Sequence, residues 1–569
     1  MSTVAPDDLS TATWDDVARL YQPLLDRPLN VADPARIEQW LAEWSALDSA
    51  LTEASTLAFF ASSADANDAE KEATHLRFAS DIMPRHAEIV STLAAKLLDT
   101  GYTRPVLETT LRRFRTRRDL FRPGNTPLKQ QLAELDNRYT SVCGKMMVEW
   151  EGESIPVSRL QPYLQHPDRD VRERAWRLSM QPYLDHRDEL ADIFDAQLAL
   201  RQQIARNAGF ANYRDYTFAE LYREDYTPED CATFHESVRE TFVPAASRIM
   251  EERRHALGIA ALRPWDLTVD PENRPALMPY ASTDVLMSTS RQAFANLDPV
   301  FGDQFAELMR RRLLDHDSRP GKRPGGFCFP LPWQKQAVIF MNAAGTAIDV
   351  LILVHEAGHA LHEIAMAELP FLYQRQPGEE MCEVASMSME LLAWPWLRAD
   401  QGGFYTEDEY TRARSEHLDQ IVTRFPWISV VDAFQHWLYT DPAASDRDAR
   451  DAKFIEIWSQ YDPDTDWTGL EDLRASRWYR QLHIFLHPFY YIEYGLAQLA
   501  ALQVWRNARQ DQASALADLQ AAFALGGTRP LPELYARAGA RMVFDAAGMA
   551  ELVALVEADL TSLRSTSPL

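Results

Sequence analysis

The sequence predicts a mainly α-helical protein with a small β element, and three observations carry that expectation. Glycine is scarce (21 of 569 residues) while Leu, Ala, Glu and Arg abound, a mixture that favours helix over sheet. Apolar residues recur at three- and four-residue intervals through most of the chain, as in residues 188–207. The best strand candidate is a single short segment, residues 336–342, with the run Ala337, Val338, Ile339, Phe340, Met341.

Composition narrows the function classes. Apolar residues make up 46% and charged residues 25%, as in ordinary globular proteins, and the length is ample for a large core. The formal net charge is -26, the opposite of the basic footprint of a nucleic-acid binder or of a protein held on anionic lipid. The first residues show neither a basic start nor an apolar stretch, and no run approaches a membrane span, so a cytoplasmic location is expected. Cys143, Cys231, Cys328 and Cys382 lie far apart in sequence with no CxxC pair, consistent with thiols in a reducing compartment.

Taken in chain order, a soft boundary near residue 195 divides an N-terminal helical lobe (1–195) from a larger body (196–569). Thr227, Pro228, Glu229 and Asp230 form a helix start, with a cap, a proline at the first position and acids in the first turn. Residues 263–281 carry four prolines and cannot form one helix. Residues 316–333 read as a Pro/Gly-rich loop leading into the 336–342 strand, whose edge could pair with an extended peptide.

The next element carries the chemistry. Thr346 to Asp349 resembles a capping box, and Val350 to Val354 are apolar nearly all round, so the helix they open should be buried. On it stand His355, Glu356, Ala357, Gly358 and His359. Two histidines four apart share a helical face and can reach one Zn2+, while Glu356, one position round, can sit beside the attacking water. A catalytic zinc wants a third protein ligand and an open position. Ala365 stands where a third His would complete HExxHxxGxxH, so a carboxylate from a later helix is the alternative. Pro377 and Gly378 make a turn, and a new helix follows with Glu379, Glu380, Glu383 and Glu390. Glu379 and Glu380 suit the first turn, where the helix dipole favours acids. Glu383 and Glu390, seven apart, face the same way, so one could ligate while the other orients an imidazole. His362 lies on the same face as His355 and is expected to pack rather than ligate.

Residues 483–498 are dense in polar aromatics. A Tyr hydroxyl or His N–H can donate to the oxyanion of peptide hydrolysis. On a helix started at Pro488, Tyr491 and Tyr494 are three apart and Tyr490 and Tyr494 four apart, so either pair could serve; aromatic stripes at this spacing also occur in cores.

Together these motifs resemble the thimet oligopeptidase and oligoendopeptidase F family of zinc metallopeptidases, above all its bacterial Pz-peptidase-like branch. The resemblance rests on residues 345–350 leading into 355–362, on 383–390, on 483–485 with 488–498, and on 525–534, with weaker likeness at 212–216 and 264–266. It covers roughly residues 200–569. It implies a two-lobed, helix-rich, zincin-like (neurolysin-like) body split by a deep channel that admits short unstructured peptides. It implies one catalytic Zn2+ on His355, His359 and Glu383, with Glu356 as general base. His483, Tyr491 and Tyr494 would lie near the substrate carbonyl, Tyr490 being the alternative where tyrosine spacing varies. The activity expected is internal cleavage of short oligopeptides. The rivals are a metallocarboxypeptidase trimming C-termini and a non-catalytic zinc-containing peptide-binding protein, against which an intact Glu356 speaks.

Overall fold

Helix dominates the computed structural model, which describes residues 4–566. Eight helices matter for the site: α1 (Pro34–Ala64), α2 (Glu108–Leu120), α3 (Arg187–Ala208), α4 (Pro228–Ala256), α5 (Ala347–Met366), α6 (Glu379–Ala393), α7 (Glu407–Thr440) and α8 (Tyr491–Ala508). Strands β1 (Met147–Trp150) and β2 (Glu153–Pro156) pair as a hairpin, and β3 (Leu314–Asp317), β4 (Phe327–Leu331) and β5 (Gln336–Ala343) form a three-stranded sheet. No helix among the described residues is long and apolar enough to cross a membrane.

The N-terminal helices surround a core of their own, in which Tyr21, Trp40, Trp44, Phe78, Leu93 and Phe114 are buried. A much larger core starts at Tyr139 and runs to Leu560. Residue 195 lies within α3, and Leu190, Phe194 and Ile204 on that helix all belong to the larger core. The chain thus passes from one core to the other between Phe114 and Tyr139.

Two buried carboxylates on α1 tie the N-terminal core to the sheet and its surroundings. Asp48 accepts hydrogen bonds from the hydroxyls of Tyr21 and Tyr373, each at 2.5 Å. Glu53 accepts from the backbone N–H groups of Trp333 (2.9 Å) and Gln334 (3.0 Å) and from the Gln334 side chain (2.6 Å), fixing the turn between β4 and β5. Such bonds satisfy buried charge that would otherwise be costly.

The sheet departs from the sequence reading in two respects. Residues 316–333 are not wholly loop, because β4 lies within them and pairs antiparallel with β5, Cys328 opposite Ile339. Strand β5 is the centre of the order β3-β5-β4, parallel to β3, so its edges are both occupied. The outer strands are β3 and β4, and the edge that lines the cavity is that of β4. Pro330 within β4 suits such a position, since proline removes a ladder donor and is tolerated at edges.

Helices α5, α6 and α8 pack in the centre of the larger core. Helix α6 is buried nearly all round, including Glu380 and Glu383 among its glutamates. Gly358 explains how closely α5 approaches it: a Cβ there would stand 2.6 Å from Ser386 Cα and 2.9 Å from the Ala385 carbonyl oxygen. Behind them α4 and α7 lie side by side, with Phe242 stacked on Phe425 at 3.8 Å between ring centroids.

Candidate active site

The α5 helix is started by Asp349 rather than by a full capping box. Its carboxylate accepts from the N–H groups of Thr346 (2.7 Å) and Ala344 (2.9 Å) and from the Tyr280 hydroxyl (2.5 Å), whereas the Thr346 hydroxyl has no partner. This anchors the helix two turns before His355.

His355 and His359 project from one face of α5 with their Nε2 atoms 3.2 Å apart. Glu383 on α6 brings Oε2 to 3.6 Å from His355 Nε2, and the three side chains offer ligand atoms that all lie within 4.8 Å of one another. Glu390, two turns further along α6, does something different: its Oε1 is 2.6 Å from His355 Nδ1. Its Oε2 is 2.9 Å from His417 Nε2 on α7, and His417 Nδ1 accepts the Trp394 indole N–H at 2.8 Å. Because an indole N–H can only donate, His417 carries its proton on Nε2 toward Glu390. Glu390 in turn accepts from His355 Nδ1–H, which leaves His355 Nε2 facing His359. His359 also lies against the backbone of Cys382.

Two imidazole nitrogens and a carboxylate therefore converge on one gap. A divalent cation fits that donor set, two imidazoles and one carboxylate being a known catalytic-zinc combination. Charges around the gap are finely poised. Burial pulls the His355 imidazole down, but its bond to Glu390 and the charges of Glu383 and Glu356 outweigh this and hold it up at about 9. Burial, with His355 as a neighbour, holds His359 well below the ordinary value. Glu390 is kept well below the carboxylate range, its bonds to His355 and His417 outweighing burial. Glu356 is pushed up to about 7 by burial first and by Glu383 and Glu390 after it, with His355 opposing.

The gap opens on a cavity of ≈ 860 Å³. Its walls come from α1 (Thr52), α2 (Arg113), the open strand β4 (Phe327 to Pro330), α5, α6 and the start of α8 (Tyr490, Glu493, Tyr494). At the β4 end, a Cβ on Gly326 would meet Ile352 Cγ2 at 3.2 Å and Glu356 Oε1 at 3.5 Å, so the missing side chain leaves the Glu356 carboxylate uncovered.

The aromatic segment differs from its reading as one helix from Pro488. Phe489 adopts φ +67°, in the left-handed region, so α8 starts only at Tyr491. The kinked residue is held at both its backbone groups. Its N–H donates to Gln435 Oε1 at 2.8 Å, its carbonyl accepts from Arg223 at 2.5 Å, and Arg223 also pairs with the buried Glu493 at 2.5 Å. This clamp presents Tyr490, whose hydroxyl is 3.2 Å from Glu383 Oε1. Tyr490 and Tyr494 line the cavity, with ring centroids 5.3 Å apart. Burial pushes both phenols up, so they remain donors.

His483 and Tyr491 are not among the cavity-lining residues. The Tyr491 hydroxyl lies toward Trp427 and Gln481, which are hydrogen-bonded to each other at 3.2 Å. His483 packs against Tyr491 (4.8 Å between centroids), has Nδ1 2.8 Å from Gln481 Nε2, and is pulled down to about 4 by burial. His362 is fully buried against Phe523, 4.8 Å between centroids, and its Nε2 has no partner. Glu379 and Glu380 do stand in the first turn of α6, and Glu380 also accepts the Tyr226 hydroxyl at 2.8 Å. Sequence reasoning missed Arg223, Tyr226, Gln435, Trp394 and His417. Each acts across a long sequence separation, and none carries a local signal beyond being polar on a helix or beside one.

Against this geometry the likeness to known proteins can be stated. The sequence profile of peptidase family M3 matches residues 162–554. The chain belongs to peptidase family M3. Among relatives of this family, the oligoendopeptidase F homolog of Borreliella burgdorferi is 21% identical over 385 residues, covering 65% of this chain and 62% of the relative. The group B oligopeptidase PepB of Streptococcus agalactiae is 22% identical over 214 residues, 37% of this chain and 34% of the relative. These alignments thus span less than two thirds of the length of either relative. A solved structure of Pz peptidase A with an inhibitor superimposes with a TM-score of 0.88 at 26% identity, covering 98% of both chains. The M3 profile begins well after the N-terminal core, whereas the structural match includes that core, so the first lobe is shared as shape more than as sequence.

Proposed function

We propose that this chain is a zinc-dependent oligoendopeptidase that hydrolyses internal bonds of short unstructured peptides. The observation that carries this reading is the convergence of His355 Nε2, His359 Nε2 and Glu383 in a cavity that Glu356 also lines. His355, His359 and Glu383 would hold the metal, and Zn2+ when bound supplies Lewis acidity toward the scissile carbonyl and the attacking water. Glu356, left uncovered by Gly326, takes the proton of that water and returns it to the leaving amine. Tyr490 and Tyr494 donate their hydroxyls to the developing oxyanion. Tyr491 and His483 support that pair by packing behind it. An extended substrate backbone would add to the open edge of β4, which lines the same cavity. A deep cavity walled by both cores favours short, flexible substrates over folded ones. Four free thiols, none in a disulfide, accord with a cytoplasmic site of action.

The test is mass spectrometry of a defined peptide mixture, incubated in parallel with the zinc-loaded protein and its Glu356→Gln variant. Internal cuts by the wild type alone, confined to the shorter peptides, are expected. Equal cleavage by the variant would remove Glu356 from its role. Stepwise release of C-terminal residues would make the protein a carboxypeptidase, and no cleavage despite bound zinc would make it a binding protein.

A further inference from the structure

A second cluster of metal-ligating side chains lies apart from the active site, where α4 crosses α7. Cys231 and His235 are four apart on α4, and Asp432 and His436 are four apart on α7. Each pair therefore occupies one face of its helix, and the two faces meet. Cys231, Asp432 and His436 offer ligand atoms within 4.8 Å of one another. Ligands at 2.0–2.3 Å on a tetrahedral zinc stand roughly 3.3–3.8 Å apart, so little closure is needed. His235 Nε2 is 2.8 Å from Asp432 Oδ2, the carboxylate–imidazole contact that typically orients a ligand.

What the protein leaves undone here points to a ligand. Asp432 is wholly buried, yet its Oδ1 has no hydrogen-bond partner, while its Oδ2 is shared between His235 Nε2 and His436 Nε2, the latter 3.3 Å away. Unpartnered polar atoms in a core are costly and call for an explanation such as a missing ion. Charge agrees with this: a dication with one thiolate and one carboxylate makes a neutral unit, which can be buried without a residual charge. In the absence of metal, burial pushes the Cys231 thiol well up, so binding would displace its proton to solvent. The mixed sulfur, nitrogen and oxygen set suits a borderline-soft ion.

We propose that Cys231, Asp432 and His436, with His235 orienting Asp432, form a second and structural site for a divalent transition metal of the zinc class. Its position gives it a purpose. The His436 ring packs on Phe489 at 5.3 Å, and the adjacent Gln435 holds the Phe489 N–H. The metal would brace the segment of α7 that supports the left-handed turn before Tyr490.

Cobalt tests this without relying on activity. The two-histidine, one-glutamate set of the active site holds no sulfur, so a thiolate-to-Co2+ charge-transfer absorption reports on Cys231. Chelator-treated full-length protein titrated with Co2+ should take up two equivalents and develop that band. Cys231→Ser should bind one equivalent and lack the band, with unchanged far-ultraviolet circular dichroism. Asp432→Asn is the second variant, should Cys231→Ser fold poorly, and should likewise lose one equivalent. The thermal midpoint should rise with the second equivalent in the wild type alone. A single equivalent without a thiolate band in the folded wild type would overturn the proposal, as would a band that persists in Cys231→Ser.

Discussion

Glu390 Oε1 lies 2.6 Å from His355 Nδ1, and through this contact a residue that faces no cavity sets which nitrogen of His355 faces the gap. The relay behind it, Trp394 to His417 to Glu390, is buried and leaves the imidazole one available tautomer. Glu390→Gln keeps the shape but replaces a charged acceptor with a neutral one. Zinc affinity should fall by about 10- to 100-fold, as is typical when such a supporting partner is lost. Competition with a chelator of known affinity measures it, and an unchanged dissociation constant would show that His355 needs no such anchor.

The tyrosines should separate by function. Tyr490→Phe and Tyr494→Phe each remove a donor from the cavity and should lower kcat by about 10²- to 10³-fold with little change in KM, if either supplies the main oxyanion bond. Tyr491→Phe, whose hydroxyl is turned toward Trp427 and Gln481, should change kcat by only a few-fold. Steady-state kinetics on one short peptide decide this. A large kcat effect at Tyr491 and none at Tyr490 would reverse the assignment.

Gly358 sits between His355 and His359 on α5 with no room for a methyl group, since the contact would be with Ser386 backbone rather than a flexible side-chain end. Gly358→Ala should push α5 from α6, separating His355 and His359 from Glu383. Overpacking of this kind destabilises by about 1–3 kcal/mol. The midpoint of chemical denaturation should fall and zinc binding should weaken together. A fully stable variant with normal metal affinity would mean the helices can part at no expense to the site.

His362 gives a signed pH dependence. Burial alone holds it down at about 4, against an ordinary value of 6.5. The unfolded chain therefore binds a proton that the folded chain refuses between those values. Stability is full above pH 6.5 and is lost as pH falls toward 4, by roughly 3 kcal/mol if the whole shift counts. Urea denaturation of the zinc-free protein at several pH values measures it. His362→Phe should flatten this part of the profile, and an identical slope in that variant would assign the loss to other groups.

The sequence by itself determined what depends on local periodicity. His355 and His359 four apart, Glu356 one position round, and Glu383 and Glu390 seven apart all describe faces of single helices, and helical geometry fixes those faces without reference to the rest of the chain. The predominance of helix, the irregular stretch 263–281 and the strand at 336–342 were legible for the same reason. Only the tertiary structure decided which faces meet. Helical spacing alone left Glu383 and Glu390 equivalent and only the family resemblance pointed to Glu383, whereas packing of α6 between α5 and α7 turns Glu383 toward the gap and Glu390 toward His417. It could not place the cavity-lining sheet edge on β4, because strand order is a non-local pairing. Nor could it choose among the tyrosines, since the left-handed turn at Phe489 is imposed by Arg223 and Gln435, hundreds and tens of residues away. The meeting of Cys231 with Asp432 and His436 has the same origin: each half is a visible i, i+4 spacing, but only the crossing of α4 and α7 brings them within reach of one ion.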